Sequence, residues 1–116
     1  MTLLIVDDFQ PLRARIGMTV SALAPDTQIR EAASHAEASA ALLEFEPGVV
    51  VLDIQLPDGN GYDLLRILKR DHASARVFVL SNHPFYRKKC LEAGADHFFD
   101  KSEEFDLFAE TIARVI

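Results

Sequence analysis

Acidic side chains stand directly after two short apolar runs of the sequence. Asp7 and Asp8 follow Leu3–Val6, and Asp53 follows Val49–Leu52. If the fold brings these carboxylates together, they repel one another and raise each other's pKa values unless a cation neutralises them. Mg²⁺ suits such a group because it takes one or two carboxylates and keeps positions for water and phosphate oxygens. The residue types therefore indicate a magnesium site, provided that the chain folds them together.

Two further polar side chains follow the next apolar runs. Ser81 comes after Val77–Leu80, and Lys101 comes after the short run His97–Phe99. An ammonium group and a hydroxyl group facing metal-bound carboxylates form a basin for a small dianion. Such a basin favours phosphoryl transfer, where catalysis is mostly positioning and charge neutralisation. The natural nucleophile there is a carboxylate, which would form an aspartyl phosphate.

These side chains meet only if the strands before them end at one edge of a sheet. The three strongest apolar runs are four residues long and are typical of strands buried on both faces. Weaker strands are predicted over residues 28–32 and 97–99, at the sheet edges. Strands that alternate with helices predict a flavodoxin-like, doubly wound α/β fold: a five-stranded parallel sheet of order 2-1-3-4-5 with helices on both faces. Its switch point lies between the first and third strands, beside Asp7, Asp8 and Asp53.

Apolar residues at helical spacing predict the helices between these strands. Ser102, followed by two glutamates, is expected to cap the last helix, and Asn60 is expected to cap the third. Pro84 is expected to open the fourth. The apolar stripes of the first, second, third and fifth helices are, in that order, Leu12, Ile16, Val20 and Leu23; Ala36, Ala40 and Leu43; Leu64, Leu65 and Leu68; and Phe105, Phe108, Ala109, Ile112 and Ile116.

Length, composition and charge exclude several classes of protein. The chain has 116 residues, of which 49% are hydrophobic and 26% charged, so one globular domain is expected. A net charge of −6 argues against nonspecific binding of nucleic acid or an anionic membrane. The single cysteine, Cys90, excludes an internal disulfide. The apolar N-terminal run is too short for a signal peptide or a membrane span. We expect a soluble, cytoplasmic protein.

In their order and position, these residues resemble the receiver domains of bacterial two-component response regulators. The resemblance covers essentially the whole chain. It rests on the acidic pair after the first strand, Asp53 after the third, Ser81 after the fourth and Lys101 after the fifth. The segment 53–61, Asp-Ile-Gln-Leu-Pro-Asp-Gly-Asn-Gly, also looks like the loop after the phosphorylated aspartate of this family. We therefore expect a single receiver domain over residues 1–116, with no output domain in this chain.

The resemblance implies a phosphoacceptor signalling switch of a two-component phosphorelay rather than an enzyme. Asp53 would receive a phosphoryl group from a histidine kinase or a histidine phosphotransfer protein. Mg²⁺ would be the cofactor, and Mn²⁺ is expected to substitute for it. Asp8 would bind the ion directly, Asp7 largely through water, and the backbone carbonyl of Gln55 would add a ligand.

The resemblance also assigns the groups that would respond to phosphorylation. Lys101 would pair with the carboxylate and then with the phosphoryl group, and Ser81 would hydrogen-bond a phosphoryl oxygen. Phe98 matches the aromatic residue whose rotamer follows the movement of that hydroxyl. The fourth helix, fifth strand and fifth helix would contact a downstream protein target, and dimerisation on phosphorylation is a further option. Neither nucleic acid nor a membrane is an expected partner.

Several positions depart from the family pattern. Ser102 follows the lysine where many relatives have proline, so a cis peptide is not assured there. Asn82 replaces a very small residue, and its bulk would narrow access to the aspartate. Phe98 lacks the hydroxyl of the commoner tyrosine, so switching would act through packing alone. Gln55 and His83 are expected at the mouth of the pocket, where we hypothesise that they set the lifetime of the phosphate.

Two other functions remain open from the sequence. A phosphatase of the haloacid-dehalogenase type also uses an aspartate nucleophile and Mg²⁺, but that family requires the pattern Asp-x-Asp after the first strand. Here the two acids are adjacent and Phe9 follows them. A receiver-like module that binds a partner without phosphorylation is the other alternative. Asn82 favours it, whereas the acidic residues and Lys101 argue against it. Asp8 also has a purely structural interpretation as the N-cap of the first helix.

Overall fold

A parallel five-stranded sheet forms the centre of the molecule. The computed structural model describes all residues, 1–116. The strand order is β2-β1-β3-β4-β5, and every pair of neighbours is parallel. The predicted flavodoxin-like order is confirmed. The strands are β1 (Thr2–Val6), β2 (Gln28–Ala32), β3 (Val49–Leu52), β4 (Arg76–Ser81) and β5 (His97–Asp100).

Four helices connect the strands, a fifth follows the last strand, and two smaller elements accompany them. A 3₁₀ turn, Pro84–Tyr86, precedes the fourth helix. A short antiparallel hairpin pairs Gln55–Leu56 with Gly59–Asn60 between β3 and the third helix. None of the helices has the length and apolar character that crossing a membrane requires. The helices are α1 (Gln10–Leu23), α2 (His35–Leu42), α3 (Gly61–Asp71), α4 (Arg87–Glu92) and α5 (Phe105–Ala113).

The core lies in two layers, one on each face of the sheet. Side chains alternate along each strand, so Leu4 and Val50 pack under α2, α3 and α4, whereas Leu3 and Phe78 pack under α1 and α5. Every residue of β3 is buried, as expected for a central parallel strand. Burying each such side chain contributes about 1.5–3 kcal/mol. This packing fixes the strand ends that carry the polar residues.

The predicted apolar stripes of α3, α5 and α1 are largely right, except at Leu23 of α1, and the predicted stripe of α2 is wrong. Leu64, Leu65 and Leu68 of α3 are buried, as are Phe105, Phe108 and Ile112 of α5, and Ile16 and Val20 of α1. Leu23 is instead about half exposed. In α2 the stripe has a different phase. Ala38, Ala41 and Leu42 face the core, while Ala36 and Ala40 are exposed and Leu43 is 90% exposed. The small alanine side chains gave too weak a signal to fix the phase.

The start of α5 also differs from the prediction. Ser102 is not its cap, because the helix begins at Phe105. Asp100 organises the preceding turn: its Oδ1 accepts hydrogen bonds from the backbone N–H groups of Ser102 (2.8 Å) and Glu103 (2.9 Å). Glu104 Oε1 in turn accepts from the Asp100 N–H at 3.0 Å. The predicted cap of α3 is confirmed, since its Asn60 side chain accepts from the Tyr62 N–H. The bond lies at 2.8 Å.

Candidate functional site

Three carboxylates converge at the carboxyl ends of β1 and β3. Asp7 and Asp8 follow β1, Asp53 follows β3, and the two strands are hydrogen-bonded neighbours. One carboxylate oxygen of each residue lies within 4.8 Å of those of the other two. Asp7 and Asp53 are buried, with 2% and 5% exposure, whereas Asp8 is exposed. The cluster predicted from the sequence is therefore present at the switch point of the sheet.

Asp8 is not the N-cap of α1, so its structural interpretation is wrong. The N-cap residue is Phe9, which makes no side-chain capping bond. The Phe9 N–H instead donates to Asp7 Oδ1 at 2.8 Å. Arg13 donates to the backbone carbonyl of Asp7 at 2.6 Å. These two hydrogen bonds hold Asp7 in place, while Asp8 lines a pocket that is described below.

Lys101 crosses from the end of β5 to the acidic cluster. Its Nζ lies 2.7 Å from Asp7 Oδ2 and 2.9 Å from Asp53 Oδ2. Burial raises the pKa of Asp53 above its ordinary value, although the hydrogen bond and charge of Lys101 oppose this shift. Burial lowers the pKa of Lys101, but the hydrogen bonds and negative charges of Asp7 and Asp53 together outweigh burial and raise that pKa. One ammonium group therefore forms ion pairs with two buried carboxylates.

The donor set of this cluster fits Mg²⁺. Three carboxylates against one ammonium leave an excess of negative charge, and all the ligand atoms are oxygens. Gln55 lies beside the cluster, where its backbone N–H donates to Asp53 Oδ1 at 3.1 Å. The cluster opens into a pocket of about 210 Å³. Its lining residues are Asp8, Asp53, Gln55, Asn82, His83 and Lys101.

Ser81 is not among the residues that line this pocket. The residue is fully buried at the end of β4, and its Oγ accepts a hydrogen bond from the His83 N–H at 3.0 Å. The hydroxyl is therefore bound within its own loop rather than turned toward Asp53. A rotation of the side chain or a shift of this loop is needed to bring it to the pocket.

Phe98 lies in the core below α4. Its ring is 3% exposed and belongs to the apolar layer under α2, α3 and α4. The Arg87 guanidinium is 5.8 Å from the centre of this ring and donates to the Phe98 carbonyl at 3.2 Å. These contacts link β5 to the first residue of α4. The predicted packing role of Phe98 is compatible with this position.

Two departures from the family pattern contact each other. Ser102 Oγ donates a hydrogen bond to Asn82 Oδ1 at 3.1 Å, across 20 positions of sequence. The bond joins the loop after β4 to the loop after β5 at the rim of the pocket. The Lys101–Ser102 peptide at this rim is trans, like every peptide of the chain. A second cavity, of about 380 Å³, adjoins this rim and shares Asn82 and Lys101 with the first.

Gly61 supports Asp53 in a way that the sequence did not indicate. A Cβ atom on this residue would lie 2.2 Å from the Asp53 carbonyl oxygen and 2.7 Å from Ile54 Cα. The Gly61 N–H donates to the Ile54 carbonyl at 2.7 Å. The start of α3 therefore packs directly against the backbone of the acidic loop. The close approach of this backbone requires glycine here.

Comparisons with known proteins agree with this geometry. The family model for the response regulator receiver domain matches residues 3–113. The nitrate/nitrite response regulator NarL of Escherichia coli is 34% identical over 106 residues, which cover 89% of this chain and 49% of NarL. A protein-glutamate methylesterase/protein-glutamine glutaminase of Treponema denticola is 35% identical over 97% of this chain and 33% of its own. The chain thus spans between a third and about half of the length of these relatives.

Solved structures share the fold at lower identity. The signal receiver domain of a DNA-binding response regulator from Colwellia psychrerythraea has a TM-score of 0.88 at 23% identity, over 98% of this chain and 96% of its own. TrrA of Thermotoga maritima, solved in complex with Mg²⁺ and BeF, has a TM-score of 0.85 at 23% identity. That match covers 99% of this chain and 98% of TrrA.

Replacing Gly61 by alanine is expected to displace the acidic loop. The added methyl group overlaps the Asp53 carbonyl, so we expect Gly61→Ala to lower the free energy of unfolding by about 1–3 kcal/mol. The backbone amide signals of Asp53 and Ile54 should move in the nuclear magnetic resonance (NMR) spectrum. Urea unfolding measures the first effect.

Gly17→Ala is the matched control. Gly17 lies in the middle of α1 with no atom within 4 Å of an added Cβ, so alanine should raise stability by about 0.5–1 kcal/mol. Equal effects of the two substitutions would show that the close approach of Gly61 to Asp53 has no consequence.

Proposed function

The chain belongs to the response regulator receiver domain family of two-component signalling, and from this premise we propose that Asp53 is its phosphoacceptor. The observation that supports this role most strongly is the placement of Lys101. Its ammonium group bridges Asp7 and Asp53 at 2.7 and 2.9 Å beside an open pocket. A carboxylate nucleophile, a cation to neutralise charge and space for a phosphoryl group thus occur together.

The proposed reaction is transfer from a phosphohistidine of a histidine kinase or a histidine phosphotransfer protein. An Asp53 carboxylate oxygen attacks phosphorus, a P–O bond forms, and the P–N bond breaks with its electron pair left on the histidine nitrogen. Lys101 stays within reach of the oxygens that become negative. Asp7, Asp8, Asp53 and the Gln55 carbonyl would hold Mg²⁺, which neutralises phosphoryl oxygens when it is bound.

We propose that the signal leaves the site through the loop after β4. A phosphoryl oxygen on Asp53 would offer the Ser81 O–H a charged acceptor, and the hydroxyl would have to move from its present position, where its Oγ accepts from the His83 N–H. Movement of that loop would change the packing of Phe98 under α4, where Arg87 already links the two elements. A bistable loop of this kind converts a local charge into a surface change on α4, β5 and α5.

The partners and the wider context follow from the same proposal. A downstream protein would bind the α4–β5–α5 face, and residues 1–116 would act as one receiver domain. Receiver domains are generally non-enzymatic signalling domains, and the family match removes the basis for the phosphatase alternative. Gln55 and His83 line the pocket and are proposed to set the phosphate lifetime. The cytoplasmic location, the absence of nucleic-acid binding and dimerisation on phosphorylation stay predictions.

Intact-mass analysis tests the phosphoacceptor. After incubation with Mg²⁺ and a small acyl-phosphate donor, the wild type should gain the mass of one phosphoryl group. Asp53→Asn should gain none, because an amide cannot replace the nucleophilic carboxylate. Asp26→Asn, an exposed acid between α1 and β2, is the control and should be modified like the wild type. An unmodified wild type, even with a cognate kinase, would favour the unphosphorylated binding module.

The Asn82–Ser102 bond is expected to restrain the rim of the pocket. We expect Asn82→Ala and Ser102→Ala each to speed modification of Asp53 roughly two- to fivefold, the size of effect that one exposed hydrogen bond supports. The double variant should be no faster than the faster single variant, because both remove the same contact. The measurement is the initial rate with a small acyl-phosphate donor. Additive effects, or unchanged rates in the single variants, would contradict this restraint.

A further inference from the structure

The hairpin after Asp53 is bound to the start of α2 through Asp58. One carboxylate oxygen, Oδ1, accepts a hydrogen bond from the His35 N–H at 2.7 Å, and the other, Oδ2, accepts from the Ala36 N–H at 3.0 Å. These N–H groups belong to the first turn of a helix, where no backbone acceptor is available to them. The carboxylate also lies at the positive end of the helix dipole. A single side chain thus joins two segments that are distant in sequence.

Other features of the hairpin agree with a close contact. A Cβ atom on Gly59 would lie 3.3 Å from the Cβ and Cδ2 atoms of His35, so the hairpin backbone packs directly on that side chain. The N–H groups of Ala36 and His35 hold the pKa of Asp58 below its ordinary value. The carboxylate is therefore charged at neutral pH, as two charge-assisted hydrogen bonds require.

The opposite end of the same hairpin reaches the candidate phosphoacceptor. Gln55 pairs with Asn60 in the hairpin, and its backbone N–H donates to Asp53 Oδ1 at 3.1 Å. Gln55 also lines the pocket of the acidic cluster. The position of its backbone therefore depends on where the hairpin is held, and Asp58 holds the other end of it.

We propose that Asp58 is a positioning residue for the Asp53 site: by binding α2, it fixes the hairpin so that the Gln55 backbone stays against Asp53. This inference rests on the proposed function, because it takes Mg²⁺ to bind at the Asp53 site beside Gln55. Groups that orient metal ligands from outside typically contribute 10- to 100-fold to metal affinity. Loss of the Asp58 contact would let the hairpin move and would weaken binding of Mg²⁺ without removing any ligand.

A purely structural role is the competing explanation, since Asp58 could serve only to cap α2. This helix already has a cap of its own. Ser34 Oγ accepts from the Glu37 N–H at 3.1 Å, and Glu37 Oε1 accepts from the N–H of Ala33, the residue before the cap, at 3.2 Å. Ser34→Ala therefore weakens the start of α2 while leaving the hairpin contact in place. It is the matched control for Asp58→Ala.

The experiment compares Asp58→Ala, Ser34→Ala and the wild type in two measurements. Urea unfolding without Mg²⁺ gives the stability of each protein, and a Mg²⁺ titration of the Gln55 amide NMR signal gives its dissociation constant. We expect both variants to lose stability, but only Asp58→Ala to bind Mg²⁺ more weakly, by about tenfold. Asp58→Asn keeps one acceptor oxygen and should lie between Asp58→Ala and the wild type. If Asp58→Ala fails to fold, Asp58→Asn takes its place in the comparison with Ser34→Ala.

The outcomes separate this inference from the proposed function. An Mg²⁺ affinity of Asp58→Ala or Asp58→Asn equal to that of Ser34→Ala would overturn the positioning role, whatever the state of Asp53. A wild type that binds Mg²⁺ but accepts no phosphoryl group would overturn the proposed function alone. The affinity comparison would then still decide the role of Asp58.

Discussion

The functional site of this molecule depends on two buried carboxylates that share one ammonium group. Asp7 and Asp53 are almost completely buried, and Lys101 is the cation that contacts both. Removing charges from water costs several kcal/mol for each ion, so their pairing has to be close and well oriented. Lys101 meets that requirement for two carboxylates, and Asp8 adds a third negative charge at the pocket. The site is therefore prepared for an additional cation.

The sheet explains why residues from three parts of the chain meet there. Because β2 lies outside β1, the first and third strands become neighbours and bring Asp7 and Asp53 together. Lys101 starts from β5, two strands beyond β3, which is about 10 Å at the usual spacing of strands. Only a long side chain covers this distance. Ser81 lies on the strand between them and needs only a local movement of its loop to reach the same place.

The sequence allowed the sheet and most of the site to be predicted, for identifiable reasons. Runs such as Val49–Leu52 are unusual outside buried parallel strands, and polar residues at the ends of such strands must lie on one edge. The errors have a different origin. Ser102 lost the capping role because Asp100, two residues earlier, forms the turn instead. The position of the Ser81 hydroxyl is a detail beyond the sequence and not an error, because no pattern reveals that its Oγ accepts from the His83 N–H.

Contacts between distant segments were also beyond sequence reasoning. The residues of the Asn82–Ser102 and Asp58–His35 pairs stand 20 or more positions apart, and none of the four belongs to a periodic pattern. The need for glycine at position 61 could not be predicted, because the sequence shows a glycine but not the carbonyl group that approaches it. In each case the missing information was the position of another backbone segment. The structure supplies that information.

The excess negative charge around Lys101 is the central claim, and the unfolding temperature tests it directly. Mg²⁺ that binds only the folded state should raise this temperature, with a stabilisation of about 2.7 kcal/mol at a hundred times the dissociation constant. We expect this rise for the wild type and its loss in Asp8→Ala, which leaves the ion pairs of Lys101 intact. A sodium chloride control of equal ionic strength removes general screening. A wild type that responds to Mg²⁺ only as it does to sodium chloride would contradict the account.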